Sequence, residues 1–310
     1  FTDLEGSTGM KEKECAIFSK PSEDEISSLI ELFQKGKFAD LEIEAAKALK
    51  NFPQSAVLNN LLGAANLKLG NNKIAVDRFE VATKLDPSYP QAFNNLANAL
   101  LLSRNYEQAK QHLLTAINLK PDYVEALYNL SAVYQELGDY VLSVEYAEKA
   151  LDIEPNNHSA LNNLGLALQA QGYFERAEAV WKTLLARKPS DLEARNNYGL
   201  LFKKLGNHKK ALSMFKTALN AAPLFFSAIH NSANCEKELG NLEKATGLFR
   251  TAIKNGCKDP LLHKDFANLH CDYGKKSEAE KYARLALKLD PYLLECYHTL
   301  GRCINYKFQA

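Results

Sequence analysis

The sequence predicts an all-α protein, a right-handed α-α superhelix of eight helical hairpins followed by one C-terminal helix. Two kinds of helix-ending residue recur with the same period of 34 residues. Prolines keep one phase, which only Cys257 interrupts, and glycines keep a second phase, which only Arg104 interrupts. Two independent markers with one period indicate a tandem repeat. The prolines are Pro53, Pro87, Pro121, Pro155, Pro189, Pro223 and Pro291; the glycines are Gly36, Gly70, Gly138, Gly172, Gly206, Gly240 and Gly274.

Each repeat is predicted to form two antiparallel helices, as the segment 158–191 illustrates. Helix A, HSALNNLGLALQAQG, carries apolar residues at the spacing of one helical face. Gly172 ends helix A, because glycine adopts the left-handed conformation at little cost. Helix B, FERAEAVWKTLLARK, has a predicted buried stripe that includes Trp181. Pro189 then prevents continuation, because proline lacks the N–H and disfavours helix in the preceding residue.

Small residues recur where the two helices of a repeat must approach closely. They stand at the eighth position of helix A and at the twentieth position of the repeat, as in Gly63 and Ala75. An aromatic residue is assigned to the twenty-fourth position in five repeats, at Phe79, Tyr146, Trp181, Phe215 and Phe249. Together with the period and the closing proline, this pattern resembles the tetratricopeptide repeat (TPR). The resemblance implies a TPR solenoid.

The repeats are predicted to fill most of the chain. Residues 22–293 form eight units of 34 residues, and residues 294–310 form a C-terminal capping helix or a truncated ninth repeat. Residues 1–21 are a leader and linker. Ser22 and Glu25 have the spacing of a capping box, which satisfies free backbone N–H groups at the start of the first helix.

The polar residues of helix A also predict a binding surface. Its sixth position points away from the core, toward the concave groove of a stacked helical array. Five consecutive repeats carry asparagine there and the next carries aspartate; this set, the asparagine ladder, is Asn95, Asn129, Asn163, Asn197, Asn231 and Asp265. The ninth position adds Asn98, Asn234 and Asn268. A carboxamide can donate to and accept from the backbone of an extended peptide. The other interpretation is that these asparagines bond the adjacent repeat.

The asparagine ladder is similar to that of the peptide-binding repeats of O-linked N-acetylglucosamine transferases, which implies a protein or peptide partner. The pattern also resembles repeat regions attached to bacterial sulfotransferases and glycosyltransferases. The predicted function is therefore a protein–protein interaction scaffold. The alternative is the substrate-binding arm of a truncated transferase. Lys204, with Lys203 and Lys237, is a candidate contact for an acidic ligand group. Self-association through the leader or the terminal repeats is a further expectation.

Composition argues against several other classes. The net charge of +1 lacks the basic excess of a nucleic-acid binder. No apolar run approaches the length of about 18 residues that a membrane span needs. The six cysteines form no CxxC pair and indicate free thiols in a reducing cytoplasm. Histidines and cysteines near residues 263–303 are interpreted as core thiols and as groove or surface histidines. The sequence thus predicts no enzyme, no metal and no cofactor.

The chain opens FTDLEGST, which resembles a metal-binding strand and turn of the class III nucleotide cyclases, where Asp3 would hold a metal. A cyclase domain would continue with a mixed α/β pattern, whereas helical repeats follow. Met10 is predicted as a natural start, which makes residues 1–9 a vector-derived leader; a native linker is the other choice. We expect these residues to lie extended against protein, as a stand-in for a groove ligand.

Overall fold

The computed structural model describes residues 20–304, and these residues form seventeen α-helices and no strand. The predicted fold class, an all-α solenoid of eight hairpins and a C-terminal helix, is confirmed. The expectations for residues 1–9 lie outside the described residues. The helices are α1 (Glu23–Gln34), α2 (Phe38–Asn51), α3 (Ala56–Lys68), α4 (Asn72–Leu85), α5 (Pro90–Leu102), α6 (Tyr106–Leu119), α7 (Val124–Glu136), α8 (Tyr140–Ile153), α9 (His158–Gln171), α10 (Phe174–Arg187), α11 (Leu192–Lys204), α12 (His208–Ala221), α13 (Phe226–Glu238), α14 (Leu242–Lys254), α15 (Pro260–Asp272), α16 (Lys276–Leu289) and α17 (Leu294–Ile304).

The chain divides into two compact units, Phe1–Gln171 and Gly172–Ala310. Helices α1–α9 belong to the first unit and helices α10–α17 to the second. Odd-numbered helices are the A helices of the repeats and even-numbered helices are the B helices. The first helix begins at the predicted capping box, in which Ser22 Oγ accepts from the Glu25 N–H at 3.2 Å and Glu25 Oε2 accepts from the Ser22 N–H at 2.8 Å.

The turn from helix A to helix B explains the glycine phase. Its glycines have positive φ. At Gly138, for example, the N–H of the next residue, Asp139, donates back to the Tyr134 carbonyl at 2.9 Å and closes the helix end. Arg104 stands in the same turn with a φ of 60°, and the Asn105 N–H donates to the Leu100 carbonyl at 2.9 Å. The turn geometry is therefore kept where the glycine is missing, although a side chain makes that conformation costly.

The connection from helix B to the next helix A explains the proline phase and its gap. At the exception, Gly256 has a φ of 85°, and the Cys257 N–H donates to the Ala252 carbonyl at 3.0 Å. Proline has no N–H and could not make this bond. Repeat 7 therefore ends in a different turn, and Pro260 instead begins α15, where its missing N–H costs nothing.

The hairpins pack as the small residues predict. A Cβ atom built on Gly63 would lie 2.7 Å from the Phe79 ring, and one on Gly199 would lie 2.4 Å from the Phe215 ring. Both distances are far inside van der Waals contact, so a Cβ atom at either glycine would force the facing ring to shift. Repeat 7 accommodates Ala233 with Phe249 at the same two positions.

Repeat 4 corrects one sequence assignment. Its twenty-fourth position is Ala147, which is fully buried, and not Tyr146, which lies one residue earlier. The Tyr146 ring instead stacks on Tyr134 with ring centroids 5.5 Å apart. Between the helices, the Ser131 hydroxyl donates to the Ser143 carbonyl at 2.8 Å and satisfies its buried polar group.

Candidate functional site

In the first unit, each asparagine of the ladder joins its repeat to the one before it. Asn95 Nδ2 donates to Asn60 Oδ1 at 3.0 Å, and Asn129 Nδ2 donates to Asn94 Oδ1 at 2.9 Å. The acceptors stand at the fifth position of the preceding A helix, and both are buried. These contacts provide the structural role that the sequence left as the second interpretation. A buried carbonyl is costly to leave without a donor, so the bonds contribute to the stacking of repeats.

The ladder residues keep part of their hydrogen-bonding capacity on the groove side. Asn95 and Asn129 are half-buried, and within the described chain no hydrogen bond reaches the Oδ1 atom of either one. A carboxamide has two N–H groups and an acceptor oxygen. One N–H therefore serves the inter-repeat contact, while the oxygen accepts no hydrogen bond from the described residues. The two interpretations of the ladder are compatible in geometry.

These asparagines line a groove of about 400 Å³ in the first unit. Asn98, which the sequence also singled out, lies in the same wall. Three tyrosines that sequence reasoning missed, Tyr89, Tyr123 and Tyr128, also line the groove. The full lining is Phe33, Asn60, Leu61, Ala64, Leu67, Lys68, Phe79, Tyr89, Gln91, Asn94, Asn95, Asn98, Tyr123, Glu125, Tyr128 and Asn129.

The groove tyrosines are neutral hydrogen-bonding groups. Burial raises the pKa of Tyr89, Tyr123 and Tyr128 above the usual range, so their phenols stay protonated at physiological pH. Asn60 Nδ2 also donates to the Tyr89 hydroxyl at 3.2 Å, which orients that ring. Tyr89 and Tyr123 are each the last residue of a repeat, and this 34-residue spacing was the signal that could have identified them.

Asn163 makes a different contact from its counterparts. Its Nδ2 donates to the backbone carbonyl of Tyr128 at 2.8 Å, because the fifth position of that repeat is tyrosine and not asparagine. Gln135 Nε2 in turn donates to the Asn163 carbonyl at 3.2 Å. The ladder position thus keeps its inter-repeat role while Tyr128 presents its ring to the groove.

The second unit repeats the arrangement once and then reverses it. Asn231 Nδ2 donates to Asn196 Oδ1 at 3.0 Å, as in the first unit, and Asn197 is half-buried. At the next ladder position, Asp265 is the acceptor. It takes one bond from His230 Nε2 at 2.8 Å and a second from Asn234 Nδ2 at 2.8 Å.

This last contact is charged. Burial alone would lower the pKa of His230, but its hydrogen bonds to Asp259 and Asp265 outweigh burial and raise it. Burial alone would raise the pKa of Asp265, but the hydrogen bonds from His230 and Asn234 hold it below its usual range. The pair is therefore an imidazolium–carboxylate ion pair at mildly acidic pH, with the His230 side chain 14% exposed.

The remaining predicted residues lie elsewhere in the second unit. Asn268 accepts from the Thr299 hydroxyl at 2.6 Å and lines a cavity of about 320 Å³. That cavity is rich in charge, since Asp272 within it pairs with Lys237 at 3.4 Å. Lys204 is exposed at the end of α11, and its Nζ lies 5.5 Å from the centre of the Phe174 ring. Of the lysines predicted to contact an acidic group, Lys237 is therefore already paired with the Asp272 carboxylate.

The histidines and cysteines near the C-terminal end lie mostly in the core. The cysteines of residues 20–304 are buried free thiols. His263 and His270 are also buried, contrary to their interpretation as groove or surface residues, and His270 packs on Phe266 with ring centroids 4.4 Å apart. The described residues contain no group of three or more His, Cys, Asp or Glu side chains arranged to hold a metal ion. They also contain no helix whose length and apolar character would suit a membrane span.

Family models identify the repeats by sequence. Models described as "Tetratricopeptide repeat" match residues 79–111, 124–157 and 155–223, and a model described as "TPR repeat" matches residues 105–138. The chain contains tetratricopeptide repeats. No curated protein sequence matches the chain.

Solved TPR structures share the fold. A tetratricopeptide repeat protein from Parabacteroides merdae has 18% identity and a TM-score of 0.67, over 80% of this chain and 97% of its own. The human IFIT1 dimer with m7Gppp-AAAA has 18% identity and a TM-score of 0.70, over 91% of this chain and 72% of its own. A Thermus thermophilus TPR protein has 24% identity and a TM-score of 0.53, over 58% of this chain and 98% of its own. At these identities the likeness establishes the fold alone.

Proposed function

We propose that this TPR chain is a protein-interaction scaffold that binds an extended peptide, or a segment of a protein, in the groove of the first unit. TPR proteins generally serve as interaction scaffolds, which supports the general class. The observation that carries the specific proposal is the groove of about 400 Å³ that brings Asn95, Asn98 and Asn129 together with Tyr89, Tyr123 and Tyr128.

The lining suits a peptide for a physical reason. Carboxamides offer donors and acceptors to peptide groups whatever the side chains, whereas tyrosines present large apolar faces and a phenol that can hydrogen-bond. Glu125 and Lys68 at the groove add opposite charges that select among sequences. The proposed partner is a protein or peptide, with no nucleic acid and no membrane involved, and the proposed location is the cytoplasm. The transferase-arm alternative would be tested by a reading frame that continues past Ala310.

The first prediction concerns the groove residues that make no inter-repeat side-chain bond. Peptides selected from a random 12-residue display library on the full chain should bind the Asn98→Ala, Tyr128→Phe double variant about tenfold more weakly, the loss of two hydrogen bonds. Fluorescence anisotropy measures the change. The control is Asn118→Ala with Tyr140→Phe, which alters the same residue types on exposed B-helix surface and should stay within about twofold of wild type.

A second variant tests the ladder itself. Asn95→Ala and Asn129→Ala combined should abolish capture of the same peptides, because both residues line the groove. Because Asn95 and Asn129 also join neighbouring repeats, thermal unfolding must be measured beside binding. Undiminished binding by the double variant and by a folded ladder variant would remove the groove from the mechanism.

A further inference from the structure

The two units carry opposite charge. The described part of the first unit, residues 20–171, has 19 acidic and 13 basic residues. The described part of the second unit, residues 172–304, has 14 acidic and 22 basic residues. The whole-chain value of +1 therefore hides a net charge of +8 on the described part of the second unit. Such asymmetry between halves of a chain points to a charged partner.

The positive charge of the second unit is concentrated in repeat 6. Residues 194–235 contain no aspartate or glutamate, but they contain one arginine and five lysines. Four of the lysines flank the turn between α11 and α12 in the sequence KKLGNHKK, residues 203–210. We call Lys203, Lys204, Lys209 and Lys210 the lysine tip.

The turn that carries the lysine tip is well defined. Gly206 has a φ of 73°, and the Asn207 N–H donates to the Phe202 carbonyl at 2.8 Å. Asn207 also caps α12, because its Oδ1 accepts from the Lys210 N–H at 3.1 Å. The end of α11 and the start of α12 thus bring their lysines to one hairpin end. Three of the four lysines are exposed, and Lys203 is half-buried.

The helix dipole disfavours this arrangement, although two of the four lysines also contact aromatic rings. Lys204 Nζ lies 5.5 Å from the centre of the Phe174 ring, and Lys210 Nζ lies 5.3 Å from that of the Phe202 ring. Lys209 and Lys210 occupy the first turn of α12, where the positive end of the helix dipole disfavours cations. The other B helices of the second unit have an acid in that turn, at Glu175, Glu243 and Glu278. Repeat 6 alone in the described part of this unit places basic residues there without an acid.

In the part of the chain that the structure describes, three lysines of the tip have no carboxylate close enough to form an ion pair. Within the described residues, Lys203, Lys209 and Lys210 have no carboxylate oxygen within 4.0 Å. The charge of Lys210 contributes to lowering the pKa of Glu178, after the hydrogen bonds from Lys182 and Tyr198. Glu178 is, however, already paired with Lys182 at 2.9 Å and accepts from the Tyr198 hydroxyl at 2.9 Å.

We propose that the lysine tip is a second docking surface, which binds a short acidic segment of a protein partner. Lysines are compact point charges that suit carboxylates in any orientation. The patch is one repeat wide, because Glu175 in the preceding repeat and Glu243 in the following repeat carry opposite charge. A nucleic-acid strand, which needs a continuous basic path, would meet these carboxylates. The proposal is independent of the groove, which lies in the first unit.

The test uses the full chain and two labelled probes. The first is a 12-residue peptide in which Asp-Glu pairs alternate with single glycines, and the second is a 12-nucleotide single-stranded RNA. Replacing Lys204, Lys209 and Lys210 with glutamine should weaken peptide binding about tenfold and reduce its salt dependence. The control, Lys254→Gln, Lys258→Gln and Lys288→Gln, removes the same charge from exposed positions of the same unit and should stay within about twofold.

Equal losses in the two triple variants would overturn the proposal, because binding would then follow net charge and not the tip. Tighter binding of the RNA than of the peptide, lost in the tip variant, would also overturn it in favour of nucleic acid. Circular dichroism establishes that both variants remain helical. Since Asn98 and Tyr128 are intact in both, groove binding of the selected peptides should be unchanged, which separates this proposal from the proposed function.

Discussion

The two units use the same pair of repeat positions to join neighbouring repeats, but with different chemistry. In the first unit the contacts Asn60–Asn95 and Asn94–Asn129 are neutral carboxamide pairs. In the second unit the equivalent positions include His230 and Asp265, where the direction of donation is reversed and the pair is charged. The same two repeat positions therefore hold either a neutral or a charged hydrogen-bonded pair, provided that donor and acceptor change together.

The difference shows what the ladder position requires. The fifth position supplies a group inside the stack, and the sixth position of the next repeat must complement it. A single exchange at either position would leave a buried polar group without its partner, which costs more than the bond contributes when present. The charged pair adds a dependence on pH that the neutral pairs lack.

The largest expected effect tests whether the two units unfold separately after a substitution in the core of one of them. Trp181 is fully buried in the second unit, and Trp181→Ala should destabilise that unit by about 3–5 kcal/mol. Because solenoid stability is a sum of nearest-neighbour terms, unfolding in urea should then show two transitions, with the first unit little changed. Circular dichroism and hydrogen exchange measure the two.

The matched control is Trp181→Phe. The same repeat position holds Phe79, Phe215 and Phe249, and the Trp181 Nε1 atom has no hydrogen-bond partner within the described chain. Phenylalanine removes this unsatisfied buried donor, and that gain offsets part of the stability lost with the smaller side chain. The phenylalanine variant should therefore lose far less stability than the alanine variant. A single transition shifted as a whole by Trp181→Ala would show that the chain responds as one cooperative body.

The next effect concerns the charged contact. Because the folded-state pKa of His230 is raised, its contribution is complete below its unfolded pKa of about 6.5 and is lost as pH rises through the folded value. Because that of Asp265 is lowered, its contribution is present above its unfolded pKa of about 3.9 and is lost as pH falls through the folded value. The pair should stabilise the second unit most between about pH 4 and pH 6.5.

Asp265→Asn should cost about 1–2 kcal/mol at pH 6 and less at pH 8, as measured by urea unfolding of the second unit. The control is the double variant His230→Asn with Asp265→Asn, which recreates the neutral pair of the first unit. The double variant should recover much of the stability that Asp265→Asn loses, and its free energy of unfolding should depend less on pH. A double variant as weak as the single one, or a wild type with flat pH dependence, would contradict the comparison.

The sequence predicted the features that depend on local backbone rules. Gly206 and Pro189 mark their turns because the conformations they favour need no tertiary contact. The role of Asn95 was open because its partner, Asn60, lies 35 residues earlier and meets it only when repeats stack. Tyr89 and Tyr123 were missed because they precede an A helix, outside the helical face that was searched. Tyr146 was misplaced by one residue because aromatic character was favoured over register.

The charge of the second unit was missed for a different reason. A net charge of +1 is an average over the chain, and it cancels the acidic first unit against the basic second one. The two units became visible only in the structure. The lysine tip was partly anticipated in Lys203 and Lys204, but Lys209 and Lys210 belong to the next helix and join them only through the turn.

The smallest effect concerns the turn between helices A and B. Each of these turns in the second unit holds a glycine with positive φ, as at Gly206, whereas one such turn of the first unit holds Arg104, with a φ of 60°. An L-residue pays about 1–2 kcal/mol for this conformation, and glycine loses about 0.5–1 kcal/mol more backbone entropy on folding. Arg104→Gly should therefore stabilise the first unit by about 0.5–1 kcal/mol in urea unfolding. The reciprocal control, Gly138→Ala in the equivalent turn of the next repeat, should destabilise it by a similar amount, since a Cβ there meets no neighbour and only the backbone conformation is at stake. If Arg104→Gly lowers stability instead, the arginine side chain must contribute more than the strain of its backbone costs.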